Sequence, residues 1–154
     1  MEWFFRTDGT WQNLIIRVSL GAVMFPHGAM KLLGWFGGGG VSGTLAAFAQ
    51  YYHVPAAMTL LVIAAESLGA LGLIVGLATR FCAFGLFCDM LGAIYLVHWP
   101  YGFFMNWFGK QQGEGFEYHL LAIGIALALM ISGGGSLSFD RLIARKLYRP
   151  RISL

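Results

Sequence analysis

The sequence predicts an all-α, polytopic membrane protein. One domain, 1–154, is expected to form a four-transmembrane-helix bundle with a short external interfacial helix and a C-terminal basic amphipathic segment. Three observations predict it. Of the 154 residues, 58% are hydrophobic and only 11% charged, whereas a soluble domain carries about 25% charged residues. Four apolar stretches, 13–33, 56–77, 81–99 and 116–132, each approach the ~20 residues that cross a hydrocarbon core of about 30 Å. Lys and Arg fall unequally on the two sides of those stretches, as the positive-inside rule expects.

The first stretch follows "MEWFFRTDGTWQ". That segment lacks a basic n-region, and no small-residue cleavage site follows the apolar run, so 13–33 reads as a permanent helix. Four consecutive glycines, 37–40, cannot hold a helix and end it. Ser42 or Thr44 is then expected to N-cap a short helix carrying Leu45, Ala46, Phe48 and Ala49, lying on the external surface. Pro55 precedes the second stretch, where its missing N–H is tolerated.

The third and fourth stretches are short and need their aromatic flanks to reach the interfaces. Trp99, Tyr101, Phe103, Phe104, Trp107, Phe108, Phe116 and Tyr118 crowd the loop between them. An aromatic belt accounts for most of these rings, and they also suit a lid over an apolar pocket. In the tail, 136–154, Ser138 can cap a helix and Asp140 falls in its favourable first turn. Leu142, Ile143 and Leu147 oppose Arg141, Arg145, Lys146 and Arg149, which makes a short basic amphipathic helix.

Arg6, Arg80, Arg141, Arg145, Lys146, Arg149 and Arg151 lie on one side of the four stretches, and Lys31 and Lys110 on the other. Both termini are therefore expected in the cytoplasm, with the protein in the inner membrane. The net charge of +3 is mostly this tail, which suits anionic lipid and not nucleic acid. Cys82 and Cys88 sit about 240° apart on a helix and fit neither a metal nor a redox pattern. They read as two small buried side chains. Gly21, Gly28, Gly69, Gly72, Gly76, Gly85, Gly92 and Gly124 are expected to let helices pack closely, with Gly72 and Gly76 at small-xxx-small spacing.

The ionisable groups within the apolar stretches carry the functional question. Arg17, Lys31 and His27 share a roughly 80° arc of the first helix, with Lys31 about 21 Å along the axis from Arg17. Arg17 lies close to an interface, where it can snorkel to lipid phosphates or pair with the tail. Glu66 lies near mid-membrane, where an unpaired carboxylate costs at least ~2.5–3.5 kcal/mol. It is expected to pair with His27 or Lys31. The weighty alternative is an ion pair that only fixes helix register.

His98 and Glu117 arrive at the same external level, with Glu117 facing the bundle and His119, about 160° from it, pointing elsewhere. Asp89 sits opposite His98 on the helical wheel, so the two do not face one interior point. The external half thus gathers His27, Lys31, Glu66, His98 and Glu117 under the aromatic loop, an apolar pocket with a few convergent polar groups. Such a pocket suits a quinone: His27, Lys31 and His98 would bind the cofactor, and Glu66 and Glu117 would pass protons as catalytic groups.

"RVSLGAVMFPHGAMKL", "AAESLGALGLIVGLATR", "YLVH", "GEGFEYHLL" and "GGGSLSFDRL", in that order, resemble the DoxX family of small bacterial membrane proteins. The resemblance implies a four-helix membrane bundle and, for some members, quinone-linked oxidation of reduced sulfur compounds or membership of membrane redox complexes. Arg17, His27, Gly28, Lys31, Glu66, Arg80, His98, Glu117 and Asp140 match the family pattern, while Asp89 and the cysteines fall outside it. Three functions follow in order of expectation. The first is a quinone-linked redox component or oxidoreductase subunit with partner subunits of a membrane complex. The second is a non-catalytic membrane scaffold that recruits proteins, and the third a metal or haem site at His27 and His98, with Glu117 as a further candidate ligand.

Overall fold

The elements form where apolar runs lie between glycine and proline breaks. The computed structural model describes residues 5, 7 and 9–147, so Arg6, Arg149, Arg151 and the Leu147 side chain lie outside the described residues. Helix α1 spans Trp11–Leu33 and ends at Gly34, whose φ of 73° forms a left-handed C-cap that glycine adopts without a Cβ penalty. After a 3-10 turn at Trp35–Gly37, α2 spans Gly40–Tyr52. The pair is bent by 88° at the break. Neither Ser42 nor Thr44 caps α2, whose N-cap is Gly39 with no side-chain bond. Thr44 Oγ1 donates instead to the Lys31 carbonyl, at 3.4 Å, tying α2 to the end of α1.

Helix α3 spans Ala56–Val75 and α4 spans Thr79–Tyr101, and both are long and apolar enough to cross a membrane. The bent pair α1 and α2 passes the same test together, as one broken span or a re-entrant loop. Helix α5, Glu117–Ser132, is apolar but only 16 residues long. Helix α6 spans Phe139–Leu147, with Arg141 N donating to Ser138 Oγ at 3.2 Å, the expected cap. No strand occurs among the described residues. Leu20, Met24, Leu73, Leu86, Met90, Ala126 and Leu129 form the core where α1, α3, α4 and α5 meet.

The Arg17 end of the bundle is tied by polar groups. Arg17 is 1% exposed and does not snorkel. Its guanidinium donates to the carbonyls of Gly134, Leu73 and Leu137, each at 2.8 Å, and to those of Ile74 and Ser136. One side chain thereby ties carbonyls at the end of α3 to carbonyls in the loop after α5. Asp140 acts as its complement: its carboxylate accepts from Ala78 N at 2.7 Å and Thr79 N at 2.9 Å, capping α4 from the tail. Because of that cap, α4 begins at Thr79, ahead of the expected residue 81.

Close approach depends on some glycines and not others. A Cβ at Gly28 would lie 2.3 Å from the Glu66 backbone, and one at Gly21 would lie 2.7 Å from the Ala70 carbonyl. Gly76 is not part of a helix-packing stripe: it ends α3 with a φ of 72° and lies against Ser138. Gly92 and Gly124 face open space, so tight packing does not explain them. Cys88 is exposed, which corrects the expectation that both cysteines are buried.

Candidate functional site

Two of the long helices carry a π-helical turn, and both turns bear an ionisable residue. In α3 the turn is Ala65–Gly69, with Glu66 in it, and in α4 it is Ile94–His98. A π-turn widens the helix and re-aims side chains, and such turns recur at functional sites. Gly28 of α1 lets the backbone of the first turn approach this closely. Lys31, three residues farther along α1, then reaches down to Glu66 and forms a salt bridge with it. Glu66 is 5% exposed, while the Lys31 side chain is 22% exposed.

Asp89 joins this pair. It lies about 15 Å along α4 from Thr79, and Glu66 about 13 Å along α3 from Val75, so the two occupy similar depths. The Asp89 carboxyl lies within hydrogen-bonding reach of Glu66 and in the field of Lys31. It is 9% exposed, and its Oδ2 finds no partner among the described residues. Tyr118, from α5, also lies in the field of Glu66, and its hydroxyl donates to Met24 Sδ at 3.4 Å. Thioether sulfur is a weak acceptor.

The remaining expected site residues go elsewhere. His98 packs on His119, with ring centroids 4.0 Å apart and a tilt of 44°, and its Nδ1 donates to the Glu114 carbonyl at 2.8 Å. His119 therefore faces the bundle, and its buried Nδ1 has no partner among the described residues. His27 is exposed, though near enough for its charge to act on His119. Glu117 turns to the loop: its Oε1 accepts from Met105 N at 3.0 Å and from Trp107 Nε1 at 2.8 Å. Among the described residues no three His, Cys, Asp or Glu side chains form a group that could hold a metal ion.

Glu117 shapes the loop over a groove. Trp99 stacks on Phe116 at 5.6 Å, and Phe103 meets Phe116 edge-on at 5.8 Å. With the loop so held, an apolar groove of about 610 Å³ opens between it and the first turns of α5, lined by Phe103, Met105, Trp107, Glu117, Tyr118, Leu120 and Leu121. That volume falls within the ~300–1,000 Å³ of small-molecule sites. Tyr118 belongs both to the groove wall and to the surroundings of Glu66.

The DoxX family model matches residues 13–99, from α1 through the second π-turn and over more than half of the chain. Neither the curated proteins nor the solved structures gave a match.

Proposed function

The chain belongs to the DoxX family, and on that premise we propose that this multi-pass membrane protein is a quinone-linked redox component or oxidoreductase subunit. The supporting observation is the groove, whose mostly apolar lining includes Tyr118, a residue that also lies in the field of Glu66, the partner of Lys31. A flat ring enters between Phe103, Trp107 and Leu121, and the Tyr118 O–H, held only by a thioether, turns to donate to a ring carbonyl. A bound quinone would supply two-electron, two-proton chemistry. The chain excludes water, orients the ring and holds protons nearby at Glu66. Glu117 sets the shape of the groove by holding the loop.

In this reading all four long helices cross the inner membrane, and both termini are cytoplasmic. Arg17, Arg80, Arg141, Arg145 and Lys146 gather at one end, with Lys31 and Lys110 at the other, as the positive-inside rule requires. The groove then opens on the external half of the bundle.

Leu121 lies on the lipid-exposed wall of the groove, so Leu121→Trp fills the groove without disturbing the core. Gently extracted wild-type protein is expected to carry quinone near one-to-one by mass spectrometry, and monodisperse Leu121→Trp to carry none. An empty wild-type protein with no affinity for added quinone overturns the redox reading. It would favour the scaffold, in which the Lys31–Glu66 pair only fixes helix register.

A further inference from the structure

The polar cluster at mid-depth contains one more acidic group than it has cations to balance. Lys31 from α1, Glu66 from the π-turn of α3, Asp89 from α4 and Tyr118 from α5 are the titratable groups that face one another there. The Lys31 ammonium is engaged by Glu66. Asp89, nine-tenths buried, lies within hydrogen-bonding reach of Glu66, and its Oδ2 has no hydrogen-bond partner among the described residues. With both carboxyls ionised, the cluster would carry a net negative charge and two anionic groups in contact, in surroundings that do not solvate either. A carboxylic acid, unlike a carboxylate, is a donor.

We propose that Glu66 and Asp89 hold one exchangeable proton between them beneath the Lys31 ammonium, forming a proton-binding site inside the membrane. One proton balances the charge, with one ammonium, one carboxylate and one carboxylic acid. It also supplies the missing hydrogen bond, because the O–H of one carboxyl donates to an oxygen of the other. Exchange with water runs past Lys31, whose side chain is 22% exposed. Asp89 is therefore as much a part of the site as Glu66, and the proton is held whether or not a quinone occupies the groove.

Infrared spectroscopy of the detergent-extracted protein, with no quinone added, reads this directly. The wild type is expected to show a carboxylic-acid C=O band equivalent to one group per chain that shifts to lower frequency in D2O. Asp89→Asn and Glu66→Gln each remove it, because the carboxyl left behind pairs with Lys31 as a carboxylate. Lys31→Met removes the one cation that the described residues place in the cluster, so both carboxyls bind protons and the band doubles. A wild type without the band overturns the site, as does a band undiminished in Asp89→Asn or unchanged in Lys31→Met. Loss of the wild-type band on adding sodium chloride at constant pH also overturns it, since a metal cation would then be the ligand. The wild-type isotope shift needs no variant and stands if a variant misfolds. Band without quinone retains the proton site and refutes the redox reading, and quinone without band does the reverse.

Discussion

Arg17 shows how much of a small membrane protein one side chain can organise. Its five donor contacts reach two separate segments, the end of α3 and the loop after α5, and Asp140 adds a nearby negative charge. A lysine in its place has three donors on a point charge and cannot span those carbonyls with a planar fork. Hydrogen bonds to charged groups contribute about 1.5–3 kcal/mol each, so Arg17→Lys is expected to cost about 3 kcal/mol or more. For a chain of this size that lowers the melting temperature by roughly 6–12 °C, checked by thermal unfolding in detergent. A variant that melts with the wild type would show that the contacts are not stabilising. The sequence exposed the arginine but not its targets, since backbone carbonyls, three of them 117 to 120 positions away, have no side-chain pattern to read. The Lys31–Glu66 pair was legible because both partners are charged and a buried Glu needs a cation.

At the scale of elements, the two π-turns decide which groups meet. A wheel drawn at 100° per residue holds only while the helix remains α-helical, and the turn at Ile94–His98 lies between Asp89 and His98. Asp89 and His98 do go to different partners, Glu66 and His119, but the wheel does not tell which of the two shares the depth of Glu66. Glu117 and His119 follow the other pattern. Their angular separation was right, but the inward member is His119, because Glu117 is drawn outward by the Met105 and Trp107 donors. Helix boundaries were far more legible, since glycine and proline mark them in the sequence. The α3 π-turn also makes a sharp demand on α1. Gly28→Ala places a methyl carbon against the Glu66 backbone, and overpacking of this kind costs about 1–3 kcal/mol. It should also lift Lys31 away from Glu66, so the expected outcome is a lower melting temperature together with a changed carboxyl infrared signal. A Gly28→Ala protein unaltered in both would mean that the helices are not in contact there.

At the scale of the molecule, the lengths of the helices set the bilayer it fits. Helix α3, with 20 residues, spans about 30 Å, and α5, with 16, only about 24 Å. If all four long helices cross, α5 falls short of a hydrocarbon core of about 30 Å. Helices of unequal length packed around one core cannot all tilt to match a thick bilayer. A bundle limited by its shortest span instead draws the lipid thinner around it, at a cost of fractions of a kcal/mol per Å. The exposed Trp107 and Phe108 at one end of α5 and the exposed Leu137 and Phe139 at the other fit this, because aromatic and apolar flanks can sit in the thinned interface. Reconstituted into phosphatidylcholines of increasing acyl-chain length, the protein is therefore expected to be most heat-stable in bilayers thinner than about 30 Å and to lose stability as the core thickens. Stability that climbed steadily with chain length would mean that α5 does not cross alone. The four-crossing topology would then give way to one with α5 and the aromatic loop at the surface, and the groove would face water instead of lipid.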